Sequence, residues 1–262
     1  ALVKKLSRID AELTVFESTG GYELLETSCL AEAGLAVVIV NPRQVRNFAK
    51  ATGILAKTDA IDARVIARFA EAVKPDVRPL KDRATSELTA LVNRCRQIVE
   101  MIVAESNRLK LANKRNKKDI KDHIRWLEKR LDKIETDIGK TIQNSPIWRC
   151  KDDILQSVPG IGPVTSATLI CDLPELGVLS SKKIAMLAGL APLNCDSGKY
   201  KGRRRIWGGR AAVRSGLYMA TMAAIRCNPA IKGFYQRLIA AGKCHKVAAT
   251  ACMRKLLIIL NA

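Results

Sequence analysis

The chain has 262 residues, enough for about two domains, and nearly half of them are hydrophobic, so it carries material for real cores. Its 45 basic and 25 acidic residues leave a net charge of +20, a field that favours a polyanion, most simply nucleic acid. Eight cysteines without a Cys-x-x-Cys pair and two histidines, His123 and His245, argue against zinc. No signal peptide or long apolar span is visible, so reduced thiols and a cytoplasmic setting without membrane contact are expected. With aromatics at 4%, backbone phosphates rather than stacked bases are the expected main contact.

In chain order, residues 1–10 read as the end of an amphipathic helix. Leu13–Ser18 reads as a strand ending on Glu17, followed by a Thr19-Gly20-Gly21 turn into a helix reaching about Ala33. Leu35–Val40 is a β-branched run of the kind buried on both faces of a sheet. Asn41-Pro42 opens the next helix with proline at its first position. Such alternation predicts an α/β domain with parallel strands, and Glu17 stands at a strand's carboxyl end, where such sheets place their sites. In Lys57-Thr58-Asp59-Ala60-Ile61-Asp62-Ala63, Thr58 is a good N-cap, and acids suit a first turn. Asp59 and Asp62, three residues apart, share a helix face. They read either as a capped helix start or as hard oxygen ligands for Mg²⁺.

Pro75 to Pro79 breaks the pattern. Two long helices follow, with Leu88, Leu91, Cys95, Ile98, Ile102 and Leu109 on one and Ile120, Ile124, Leu127, Leu131, Ile134 and Ile138 on the other. This predicts a coiled-coil hairpin or dimerisation arm. Its basic turn, with Lys114, Arg115, Lys117 and Lys118, reads equally as a solvated tip or a phosphate contact. After Asn144-Ser145-Pro146, the Gly160-Ile161-Gly162 turn between helices reads as a helix-hairpin-helix that approaches phosphate, or as a tight turn without DNA contact. A polar loop through Asp196-Ser197-Gly198 leads into Lys199, Lys201, Arg203, Arg204, Arg205, Arg210 and Arg214, seven cations without an acid, a good phosphate cradle. Helices follow over about Arg210–Cys227, Ala230–Ala241 and Lys243–Leu260. The last is expected as core through Val247, Leu256, Leu257 and Ile259. Cys227, Cys244, Cys252 and His245 are expected to pack without metal.

Phe16–Glu23, Val40–Arg46, Ala49-Lys50, Lys57–Ala63, Val158–Pro163, Asp196–Gly198, Arg203–Arg205 and Gly208–Arg210 together resemble, in order along nearly the whole chain, the DEDD-type insertion-sequence transposases (the IS-one-ten group). The resemblance implies an α/β ribonuclease-H-like, resolvase-like domain over 1–80, incomplete in its first strands. A coiled-coil arm over 81–145 and an all-α, helix-hairpin-helix-containing transposase domain over 146–262 would follow. It implies Mg²⁺ on Glu17, Asp59 and Asp62 and a nucleophilic Ser197. It also implies a DNA recombinase directed by a structured RNA, assembled as a homo-oligomer (dimer or tetramer) in which one subunit's carboxylates meet another's serine. The first DEDD aspartate lies on the fold's opening strand, which this sequence lacks. As a fragment or a decayed copy with three carboxylates of four, the chain as given is expected to cleave DNA little or not at all. A metal-dependent nuclease using water and a non-catalytic nucleic-acid-binding remnant are the alternatives. On residues alone Ser197 is equally a turn former; Ser215, within a helix, is a weaker nucleophile.

Overall fold

In the computed structural model, which describes residues 2–9, 11–77 and 82–262, the first predicted strand is Thr14–Glu17 (β1) and the second Val37–Val40 (β2). They pair in parallel, Thr14 opposite Val37 and Glu17 opposite Val40. Leu24–Glu32 (α2) is the crossover between them, and a short helix, Leu2–Leu6 (α1), precedes β1. Val37, Val38 and Val40 are buried, as a β-branched run without polar alternation requires. Helix α3 (Pro42–Ala51) begins at once after β2, with the Asn41 side chain accepting the Arg43 amide at 2.8 Å and Pro42 supplying the helical φ. Helix α4 (Asp59–Val73) is capped by Thr58, whose hydroxyl accepts the Ile61 amide. Val45 and Ala49 of α3 and Val65 and Phe69 of α4 close over Val38 and Val40, and Phe48 meets Phe69 edge-to-face at 5.6 Å. These elements form one compact unit, Ala1–Asp82. Pro79, the end of the predicted break, and the predicted 80/81 boundary lie outside the described residues, as do Ala1 and Asp10 of the expected leading helix.

Residues Arg83–Ala262 form the second unit. Its first helices, α5 (Arg83–Leu111) and α6 (Lys117–Gln143), fold back on one another, the start of α5 (Leu88, Val92, Cys95) meeting the end of α6 (Ile138, Ile142). Ala167 and Cys171 join the same cluster, so the expected arm over 81–145 is rooted in the helices that follow it. Leu127 is 1% exposed within this single chain, which removes it as an anchor for a second copy.

Among the described residues six helices enclose the main core: α7 (Pro146–Gln156), α8 (Pro163–Asp172), α9 (Ser181–Leu187), α10 (Ala211–Cys227), α11 (Pro229–Ala240) and α12 (His245–Leu260). Leu169, Ile184, Leu217, Ile231, Leu256 and Leu257 are fully buried there. On α12 the buried face is Ala248, Ala249, Cys252, Met253, Leu256 and Leu257. Val247 and Ile259, expected in the core, fall on the outer face because their helical angle differs. Of the cysteines expected to pack, Cys252 does; Cys227 and Cys244, at helix ends, are exposed. His245 is held by the Tyr235 hydroxyl at 2.8 Å from Nδ1. Between α9 and α10 the chain leaves the helical body in a small β excursion. Pro192-Leu193 (β3) pairs with Arg205-Ile206 (β6), and Asp196-Ser197 (β4) pairs with Tyr200-Lys201 (β5), both antiparallel. The molecule is mostly helical with small sheets, and among the described residues no helix is long and apolar enough to cross a membrane.

Candidate functional site

The first unit holds a cleft of about 450 Å³ at the carboxyl end of its parallel strands. Glu17, the last residue of β1, lines it with Asp62 from α4 and Arg43, Arg46 and Lys50 from α3. The three α3 cations lie on one side because their spacing follows the helical repeat, while Val45 and Ala49 face the core. Arg46 also donates to the Leu55 carbonyl at 2.7 Å and holds the loop before α4. Lys57, a further lining residue, stands 3.8 Å from Asp62. Asp59, one turn earlier on α4, is exposed and lies outside the lining. The structure therefore brings Glu17 and Asp62 to one cleft and leaves Asp59 at its margin. Among the described residues no three potential ligands gather into a metal group.

Below Glu17, the Ser18–Gly21 turn wraps the carboxylate of Glu23. That carboxylate accepts the Thr19 hydroxyl at 2.9 Å, the Thr19 amide at 3.1 Å, the Gly21 amide at 2.9 Å and the Ser18 hydroxyl at 3.2 Å. Backbone donors, its own amide first and then those of Thr19 and Gly21, outweigh desolvation and lower its pKa from 4.5 to about 2. Gly20 and Gly21, at φ 79° and 114°, permit the tight wrap. Glu23 and the α3 cations carry no role in the sequence reading. Their signals were present in it: an acid five residues after Ser18, and basic residues at helical spacing opposite buried ones.

The second unit presents Ser197 in the outward hairpin. Ser197 and Tyr200 flank a two-residue turn in which Gly198, at φ 54°, takes the first central position, as a type II′ connection requires. Ser197, Lys199, Lys201, Arg203 and Arg205 are all exposed, and none of these four cations makes an ion pair among the described residues. Arg204 differs: it pairs with Asp196, whose pKa is lowered chiefly by that hydrogen bond. Asp196 also accepts the Gly202 amide at 3.1 Å, and a Cβ on Gly202 would strike the Cys195 carbonyl oxygen at 2.1 Å.

The remaining expected phosphate contacts divide. Arg210 is clamped by both oxygens of Glu175, at 2.5 and 2.6 Å, and by the Asp172 carbonyl at 3.0 Å, and this pairing raises its pKa. Arg214 donates to the Gly208 carbonyl at 2.6 Å, at a place where Gly189 and Gly209 pack backbone against backbone. Both arginines lock the hairpin's base onto the helical body. Gly160, at φ 103°, presses on α10, where a Cβ would meet that of Ala224 at 2.6 Å; Gly162 remains open at the start of α8. Asn228 donates to the Pro159 carbonyl at 3.2 Å, and Ser166 to the buried Asp152 at 2.5 Å, which ties α7 to α8. Lys114, Arg115, Lys117 and Lys118 are exposed at the tip of the long helices. Ser215 sits on the exposed side of α10, within an unbroken helix.

Comparison with known proteins matches residues 1–112 to a transposase family model named for the DEDD transposases of IS110, and residues 152–236 to one described as "Transposase IS116/IS110/IS902 family". The chain is similar to the pilin gene-inverting proteins of Moraxella lacunata and Moraxella bovis, 29% identical to each over 252 residues that cover 95% of this chain and 78% of each relative. It is also similar to an uncharacterized 42 kDa protein of insertion element IS900 from Mycobacterium paratuberculosis, 30% identical over 52% of this chain and 36% of that one. The class is thus an enzyme of DNA recombination, a transposase. With both blocks matched, the chain is an IS110-type transposase.

Proposed function

We propose that this transposase cuts and rejoins DNA through a covalent phosphoserine on Ser197, directed by a structured RNA, with Mg²⁺ at the Glu17–Asp62 cleft. The observation that carries the reading is Ser197 on an exposed hairpin among four cations that make no ion pair among the described residues, in a chain similar to proteins named for gene inversion. The Ser197 Oγ attacks phosphorus, its proton passing to a base. The P–O bond to the departing sugar oxygen breaks, that oxygen takes up a proton as a free hydroxyl, and the phosphodiester energy is kept in the serine ester. Religation reverses the step without ATP. Lys199, Lys201, Arg203 and Arg205 offset charge growing on the phosphoryl oxygens.

Two carboxylates from different elements, facing one cleft with cations around them, fit Mg²⁺, which commonly takes one or two carboxylates together with phosphate oxygens and water. Bound there, the ion would supply Lewis-acid polarisation of a phosphate. Glu17 and Asp62 would hold the ion, and Arg43, Arg46 and Lys50 orient the strand. In this reading the first unit has a ribonuclease-H-like, resolvase-like fold, α5–α6 a coiled-coil arm, and α7–α8 a helix-hairpin-helix. The tip adds a nucleic-acid contact: Lys117 and Lys118 open α6, where the helix dipole disfavours cations, a placement that a bound phosphate offsets. DNA and RNA partners, a homo-oligomer and the prokaryotic cytoplasm complete the reading.

The test is a denaturing gel. Protein expressed from its full reading frame is incubated with labelled element-junction DNA, the element's RNA and Mg²⁺, beside Ser197→Ala. A slow, protease-sensitive DNA band that needs Ser197 is expected. Cleaved DNA without an adduct would replace the phosphoserine with water as nucleophile, and intact DNA despite binding would leave a non-catalytic binder.

A further inference from the structure

The hairpin carries more than a serine and cations. Ser197 and Tyr200 are direct cross-strand partners, so their side chains leave the same face of the ribbon, Cβ atoms roughly 5 Å apart. Asp196 and Lys201 pair beside them and leave the other face, where Asp196 is held by Arg204. Next to Tyr200 lies a cavity of about 320 Å³, at the small end of the roughly 300–1,000 Å³ of ligand pockets. Its lining includes Tyr200, Trp207, Leu193, Arg203 and Arg205 and, among the described residues, no carboxylate. The two rings are 67% and 65% exposed, in a chain that is only 4% aromatic. Large rings held out of the core forgo burial that would stabilise the fold. Rings flanked by exposed guanidinium groups match a nucleotide: its base offers a π-face to the ring and its phosphate a charge to the arginines.

We propose that this cavity receives an unstacked nucleobase from the strand whose phosphate Ser197 addresses. The inference rests on the Ser197 reading and deepens it. A base inside a duplex keeps its π-faces covered by its neighbours, so the cavity selects a strand that is open or distorted at the crossover point. Tyr200 and Trp207 then fix the base, and the paired register sets the adjoining phosphate against Ser197. A second copy of the chain is the other occupant such rings could serve, and the test separates the two.

The experiment measures, by fluorescence anisotropy, binding of a labelled single strand of about 15 nucleotides, near the upper end of single-strand site sizes, and of the same sequence as a duplex. The unaltered protein is compared with a Tyr200→Ala, Trp207→Ala variant. Single-strand affinity is expected to fall on the order of tenfold, with duplex affinity and the salt slope of both unchanged, because no charge is removed. Tyr200→Phe with Trp207→Phe should restore it. Should the alanine variant lose its fold, Tyr200→Leu with Trp207→Leu keeps apolar bulk without rings and should show the same selective loss. Equal losses on both probes, or no loss, overturn the proposal. So does a sedimentation shift toward monomer with single-strand affinity retained, which assigns the rings to a second copy. The Ser197 reading fails on a different readout, the covalent adduct. Ring-dependent single-strand preference without an adduct supports the cavity and removes the chemistry; an adduct without that preference overturns the cavity alone.

Discussion

At the scale of single residues, the structure separates charges that the sequence shows as equivalent. Arg203 and Arg205 are exposed on the hairpin and make no ion pair among the described residues, Arg204 holds Asp196, and Arg210 is locked to Glu175. Glu23 is the clearest positioning group: four donors converge on its carboxylate and so fix the turn that follows Glu17. Its folded pKa of about 2 lies below the ordinary 4.5, so its contribution to stability is full above about pH 4.5 and is lost as pH falls through about 2. Glu23→Gln should remove that pH-dependent part. The difference in urea midpoint between wild type and variant is expected to be largest above pH 4.5 and to shrink toward pH 2. A difference constant across that window would show that the carboxylate does not titrate as the turn geometry requires.

At the scale of elements, the long helices show how one apolar pattern serves two architectures. The near-heptad seam of α5 and α6 is compatible with pairing between chains or within one, because the spacing only says that a stripe must be covered. Leu127, at 1% exposure, is covered within its own chain. Leu127→Ala should therefore cost about 3 kcal/mol of unfolding free energy, read by chemical denaturation, while sedimentation shows no change in association state. Dissociation of an oligomer without that loss would return the seam to an interface between copies. The Gly160 turn follows the same logic. Glycine permits approach to a phosphate or to another helix, and here Gly160 is taken up by α10 while Gly162 stays open.

For the molecule as a whole, a net charge of +20 makes nucleic-acid binding strongly salt-dependent. Replacing Arg203 and Arg205 by alanine should reduce the slope of log K against log salt by about 2, roughly one for each phosphate that is no longer neutralised. Arg210→Ala should leave the slope alone and lower the melting temperature, because it strips Glu175 of its bidentate partner at a cost of roughly 1–3 kcal/mol. A slope reduced by Arg210→Ala would move that residue into the interface.

Much was legible in the sequence because it is encoded locally. Thr58 and Asn41 mark their helix starts with the next few residues alone, Val37–Val40 names its own strand, and the ordered motifs from Glu17 to Arg210 point to the transposase family without any fold. The cationic balance, too, belongs to composition. What only the tertiary structure decided is which members of each local set meet. Asp59 and Asp62 are alike on a helical wheel, yet Asp62 lines Glu17's cleft and the exposed Asp59 does not. The seven cations became exposed contacts, a hairpin brace and structural clamps according to which groups the fold set against them: Asp196 and Gly208 nearby in the chain, Glu175 35 residues away. Tyr200, unremarked as a letter, stands opposite Ser197 through the hairpin's register, and the β3–β6 pairing at the base brings Trp207 to the same cavity as Tyr200.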